Sequence, residues 1–249
     1  MFHPKCFSKI KFFMKQILTL LMVSLFLMGC QEEMKEKAIE YGTMQDINGH
    51  VYKTVKIGED WWMAENLRVT VFNDSSVIAA VSNTDADTVW ASIGGPAYTF
   101  NNDTLYGLLY NFSCVEDARK LAPAGWHIAT EGEWQQLEET IGMPTASLEK
   151  LGWRGTNEGE KLAPLYSRGW PEFSELFGTN EYGFKALPGG CRLFNGELNS
   201  QNNTAFWWTS SEYDGGESWY RYMDYNQDRI FRQHTYKGYG MSIRCVKNK

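Results

Sequence analysis

The apolar and polar positions of the chain fall into a succession of distinct stretches. Residues 17–28 form an uncharged apolar run of twelve residues, short for a bilayer span, which takes about 20. A charged stretch without a sustained apolar stripe follows at 31–42. From Met44 the pattern is one of short strands. Asn48-Gly49 tolerates the positive φ angles of a tight hairpin turn, so Val51, Val55 and Ile57 are expected to face inward on a strand ending at Gly58. Trp61-Trp62-Met63 opens the next strand. Residues 73–88 are rich in Asn, Asp, Ser and Thr and read as loop with an apolar patch at 77–81. Two short helices come next. Ser113 with Glu116, and Thr130 with Glu133, have the spacing of a capping box. Trp134, Leu137 and Ile141 lie on one stripe of the second helix, which Gly142 stops, while Pro123 stops the first near Leu121. Beyond residue 180 strands are expected at 182–193, 206–210, 219–223, 229–233 and 241–246. Strands, two short helices and then a block of strands predict an α+β fold, as a single domain over 43–248.

Charge separates the beginning of the chain from the rest. Of 24 basic and 30 acidic residues, Lys5, Lys9, Lys11 and Lys15 precede residue 30 and no acid does, so a net charge of -6 hides a more acidic body. That balance argues against a nucleic-acid partner, which calls for a basic surface. A basic start followed by a short apolar run describes a secretory signal, beginning at Met1 or at Met14. Its end, Leu27-Met28-Gly29-Cys30, resembles the bacterial lipobox. The resemblance implies a lipoprotein signal peptide at 1–29, acylation of Cys30, and a lipidated tether at 30–42. The expected location is outside the cytoplasm, held to the outer membrane by the lipid anchor. Gln31-Glu32-Glu33 resembles an acidic tag for the outer leaflet; a solvated charged tether is the other reading.

Cysteine usage follows from that compartment. With Cys6 removed and Cys30 acylated, Cys114, Cys191 and Cys245 remain, and an oxidising environment favours one disulfide among them. Cys191–Cys245 is one expected pair, with Cys114 as the alternative partner. The chain has no C-x-x-C spacing, so neither a structural zinc site nor another cofactor is expected. Asp224-Tyr225-Asn226-Gln227-Asp228 has the opening spacing of a calcium loop. Arg229 stands where glycine is needed and no glutamate closes it, so a turn between strands is expected and no metal.

The aromatic and glycine landmarks form an ordered series. Ile57-Gly58 precedes Trp61-Trp62-Met63-Ala64-Glu65-Asn66-Leu67-Arg68, and Tyr106-Gly107-Leu108-Leu109-Tyr110-Asn111 comes next. Leu121-Ala122-Pro123-Ala124-Gly125-Trp126-His127 and Glu133-Trp134 follow. Asn180-Glu181-Tyr182-Gly183-Phe184, Leu187-Pro188-Gly189-Gly190, Trp207-Trp208-Thr209-Ser210-Ser211 and Ser242-Ile243-Arg244-Cys245-Val246 complete it. The series resembles the Fibrobacter succinogenes major paralogous domain family, whose members are typically exported proteins and lipoproteins. The resemblance implies a relative of the C-type lectin-like fold, shared with sulfatase-modifying enzymes.

Ten tryptophans, 13 tyrosines and 14 phenylalanines need places. Trp61, Trp62, Trp126, Trp134, Trp207 and Trp208 sit at junctions between short elements and are expected to be packing units with their N–H groups bonded to carbonyls. His127, beside the Thr130 cap, is expected to be buried and bonded to backbone. Trp219, Tyr220, Tyr222, Tyr225, Tyr236 and Tyr239 are different. Both faces of Trp219-Tyr220-Arg221-Tyr222 cannot be core, so these six are the ligand-binding candidates. The functional expectation is a non-catalytic, membrane-anchored binding domain for an external polysaccharide, peptide or protein. Two alternatives stand beside it: an enzyme of the sulfatase-modifying or thiol redox type, and a structural component of a surface assembly.

Overall fold

The computed structural model describes residues 38–82, 87–100, 104–165, 169–172 and 178–249. The expected signal peptide, Cys30 and the tether through residue 37 lie outside the described residues. Ile39–Lys249 forms one compact unit.

Three sheets build it. The first holds five strands: β1 (Tyr41–Gln45), β2 (Val51–Ile57), β3 (Asp60–Met63), β15 (Cys245–Lys247) and β7 (Trp126–Ile128), adjacent in that order. The second runs β10 (Leu198–Asn199), β9 (Cys191–Arg192), β14 (Gly240–Met241), β6 (Leu108–Asn111), β5 (Ala97–Phe100) and β4 (Ala79–Val81). The third has four strands, β11 (Thr204–Glu212), β12 (Glu217–Asp224), β13 (Ile230–Tyr236) and β8 (Gly152–Arg154), all antiparallel. The helices are α1 (Asp87–Ala91), α2 (Phe112–Val115), α3 (Glu131–Thr140), α4 (Thr145–Leu148) and α5 (Glu158–Leu162).

This overturns the expected α+β, C-type lectin-like assignment. Among the described residues the protein is mostly β, at 36% strand against 16% helix, with several sheets and one of them curled into a half-barrel. The reason is local. Of the two expected helices, only α3 is long enough to lay an apolar stripe on a sheet. The Ser113–Glu116 box does not form: Asn111 occupies the N-cap of α2 without a side-chain cap bond. Its Oδ1 instead accepts from the Ala97 N–H at 3.0 Å, and its Nδ2 donates to the Gly95 carbonyl at 2.8 Å. Tertiary bonding to the approach of β5 takes the groups a longer helix would have used.

Packing then follows the strand alternation. One core joins Val55 and Trp62 of the first sheet to Trp134, Leu137 and Ile141 along α3, and to Trp207, Met223 and Ile230 of the third sheet. A second core holds Tyr52 and Met63 with Leu67, Tyr110, Ile128 and Cys245. Consecutive residues of β2 and β3 thus serve opposite cores, and the first sheet is apolar on both faces. Val51 departs from expectation and is exposed, because β2 outruns the first core at that end. The 182–193 strand shrinks to β9. Gly183, Lys185 and Gly190 all take positive φ in the segment before it, which no extended strand accommodates.

The expected disulfide is not formed. Cys114, Cys191 and Cys245 are free and buried. Cys191 packs with Phe112, Trp208 and Met241, whereas Cys245 belongs to the second core. Cys114 shares that core, and its thiol donates to the Ala97 carbonyl at 3.3 Å.

Candidate functional site

The third sheet divides an alternating set of side chains between two environments. On three of its strands an aromatic residue stands next to an arginine: Trp153-Arg154 on β8, Arg221-Tyr222 on β12, Phe231-Arg232 on β13. Adjacent strand residues point to opposite faces. The arginines are buried, at 2%, 0% and 6% exposure, and the rings are half-buried on the outer side.

Pairing register turns the rings into a row. Phe206 stands opposite Tyr222, Tyr222 opposite Phe231, and Phe231 opposite Trp153. Four rings therefore cross all four strands, over roughly 14 Å at the usual strand spacing. Phe206 and Tyr222 stack with centroids 4.6 Å apart. Tyr222 lies 5.2 Å from Trp153 and 5.6 Å from Phe231, and Trp153 meets Phe231 at 5.2 Å. Tyr220 flanks the row, 6.1 Å from Phe206. Tyr239 and Leu193 pack partly buried beside Phe206 and Tyr220, and Phe194 carries the patch on to Tyr239 and the exposed Tyr236. The Tyr222 hydroxyl donates to Asp224, the carboxylate that touches the row. Burial, then the Asp224 bond, push the Tyr222 phenol far above its ordinary value, and burial pushes Tyr220 up to about 12. Both hydroxyls stay neutral.

Behind the row the arginines meet two carboxylates seven residues apart on α3. Arg221 donates to Glu138 at 2.6 Å and to Glu131 at 2.7 and 3.0 Å. Arg232 reaches Glu131 at 2.6 Å. Arg154 forks onto Glu138 at 2.7 and 2.9 Å. Burial works against the Glu131 charge, but Arg221 and Arg232 outweigh it and hold the carboxyl below its ordinary value. Three strands and one helix are thereby tied at fixed positions, which fixes the rings on the opposite face. A capping box sets the start of α3: the Thr130 Oγ1 accepts the Glu133 N–H at 3.2 Å, and Glu133 accepts the Thr130 N–H at 2.8 Å.

The six candidate rings are thus divided. Tyr220 and Tyr222 belong to the outer face. Trp219 points the other way, under Arg232 at 3.8 Å and edge-on to Tyr213 and His234. Tyr225 is half-buried against the first core, and Tyr236 and Tyr239 gather around Phe194. Sequence reasoning missed Phe206, Phe231 and Trp153. The threefold aromatic–arginine neighbourhood was the available signal.

Trp62, Trp134, Trp207 and Trp208 are fully buried, while Trp61 and Trp126 are half-buried. Trp207 donates to Asn66 at 2.9 Å and Trp208 to the Tyr110 carbonyl at 3.0 Å, but the Trp134 N–H meets no acceptor among the described residues. His127 is half-exposed rather than buried, and its ring nitrogens lie 2.7 Å from Asn248 and from Glu133, both side chains. Burial pushes the Cys191 thiol up to about 12 and those of Cys114 and Cys245 higher. Reactive cysteines instead have depressed pKa values and solvent access.

These features define a mostly β domain of three sheets with a ring-lined outer face. Residues 55–247 match the Fibrobacter succinogenes major domain. The chain belongs to that family. Comparison with curated proteins and with solved structures gives no match.

Proposed function

We propose that this chain is an exported lipoprotein, anchored through an acylated Cys30, whose outer ring row binds a neutral polysaccharide without chemical change to it. The observation that carries the reading is the four-ring row at Phe206, Tyr222, Phe231 and Trp153. Alternation sends the arginines of those strands inward to Glu131 and Glu138, leaving outside a flat aromatic strip edged with phenol hydroxyls and Asp224. Apolar patches that reach the surface mark interaction sites, and a strip whose neighbouring arginines Arg154, Arg221 and Arg232 turn inward suits a neutral ligand whose rings present C–H faces to it. Tyr and Trp are also the residues that most often dominate binding energy. Multiple acyl chains on Cys30 would hold the domain on the membrane far more firmly than one.

Two measurements test the reading. The full chain, produced in a host that processes lipoproteins, is screened against a panel of neutral and charged polysaccharides and of proteins. Binding to one or more neutral glycans supports it; silence on every glycan, or capture of protein alone, refutes the ligand class. Growth with a fatty-acid probe should label the wild type and not Cys30→Ser, and equal labelling of the two would refute the anchor.

A further inference from the structure

A concave surface lies on the first sheet, whereas the ring row belongs to the third. Tyr41, Gly42 and Thr43 of the edge strand β1, Lys53 of β2, and Lys185 line an open cavity of about 530 Å³, within the range of small-ligand sites. Two cations share it in a strongly acidic protein. Neither ammonium pairs with a carboxylate among the described residues; the carboxylate beside Lys53, that of Glu65, takes its backbone N–H at 2.9 Å instead.

The wall that carries Lys185 is built at a cost. Lys185 has φ of +54°, a conformation that strains a side-chain-bearing residue and persists only where the surroundings impose it. The Asn180 side chain accepts its N–H at 3.3 Å, and Arg244 donates to its carbonyl at 2.9 Å and to that of Phe184 at 2.8 Å. Gly183, with φ of +71°, lets the Tyr41 phenol close against the same segment; a Cβ there would lie 2.7 Å from the hydroxyl oxygen.

Arg244 adds a third positive charge behind this wall. It is fully buried, and its remaining bonds go to neutral acceptors, Asn66 at 2.7 Å and the Met63 carbonyl at 2.8 Å. Burial pushes its pKa down to about 9, with Glu65 acting in the opposite direction. At neutral pH the group remains a cation without a hydrogen-bonded carboxylate among the described residues.

We infer that this cavity binds the phosphate-type oxyanion of a ligand between the ammonium groups of Lys53 and Lys185. Compact, strongly hydrated ammonium groups bind phosphate as point charges, and Tyr41 and Thr43, both with hydroxyl groups, line the same cavity. Two sources have that chemistry: a soluble phosphate ester and a lipid headgroup. The second rests on the anchoring proposed above. Tyr41 is eleven residues after Cys30, a stretch that reaches at most about 40 Å when extended, so an anchored domain holds the cavity within headgroup range.

Lysine acylation footprinting, read by mass spectrometry on the full chain, tests both. Millimolar glycerol phosphate is expected to slow labelling of Lys53 and Lys185 at least threefold and to leave the exposed Lys150 and Lys247 unchanged. In vesicles, protection with phosphatidylglycerol but not with phosphatidylcholine assigns the lipid source; protection by glycerol phosphate alone assigns the soluble one. A Lys53→Gln/Lys185→Gln variant should melt as the wild type does without ligand and lose the rise in melting temperature that glycerol phosphate gives the wild type. Unchanged labelling of both lysines in every arm, or slowing of all four lysines alike, overturns the site. A chain that fails to stay on vesicles contradicts the anchor and leaves the glycerol phosphate arm to decide the cavity.

Discussion

Arg221 has no exposed surface, yet it lies between two aromatic residues that would bury more favourably. Its place is explained by Glu131 and Glu138, which face it from α3. Such a buried network is costly to assemble and more costly to break, because removing one partner strands a charge. Glu138→Ala leaves both Arg154 and Arg221 short of a counter-ion, and a loss of about 3–5 kcal/mol is expected in urea denaturation. Glu131 gives the network a pH signature. Its folded carboxyl lies below the ordinary 4.5, so its contribution is fully present above pH 4.5 and is lost as pH falls through the depressed folded value. The melting temperature should drop below that pH, and Glu131→Gln, already weaker at neutral pH, should show a shallower drop. An identical acid limb in the two proteins would contradict the assignment.

Among the elements, α3 was the most legible in the sequence because its signals are local: Thr130 and Glu133 are three residues apart, and the buried stripe repeats within the helix. Thr130→Ala should cost about 1 kcal/mol in a denaturant midpoint, the usual worth of a cap. Of the third sheet, β11, β12 and β13 were legible too, but β8 was not, and neither were the strand partners. No local pattern states that Tyr222 stands between Phe206 and Phe231, or that Trp153 completes the row from a three-residue strand some 50 residues earlier. The segment before β9 misled for a related reason. Tyr182 and Phe184 alternate like a strand, but the distant Arg244 claims the carbonyls of Phe184 and Lys185, and the positive φ angles around them end any ladder.

At the scale of the molecule, long-range pairing decided what the pattern could not. β15 inserts between β3 and β7, bringing Val246 opposite Trp62 and His127. This closes the first sheet from the two ends of the domain. The helical layer implied by an α+β reading is confined largely to α3, and the two cores form mainly against strands. The cysteines expected to staple this arrangement are absorbed into cores as small apolar groups. Only the landmark series carried the family assignment, since it samples every part of the domain.

The central claim is that alternation in the third sheet separates a ligand-facing ring row from a structural arginine row. The most direct measurement is affinity for the best glycan of the panel across neighbouring substitutions on opposite faces of the same strands. Tyr222→Ala and Phe231→Ala should each weaken binding about tenfold or more, equivalent to ~1.4 kcal/mol, while Trp219→Ala, on the inner face of β12, should bind within about twofold of the wild type. Loss at Trp219 with retention at Tyr222 and Phe231 would contradict the account.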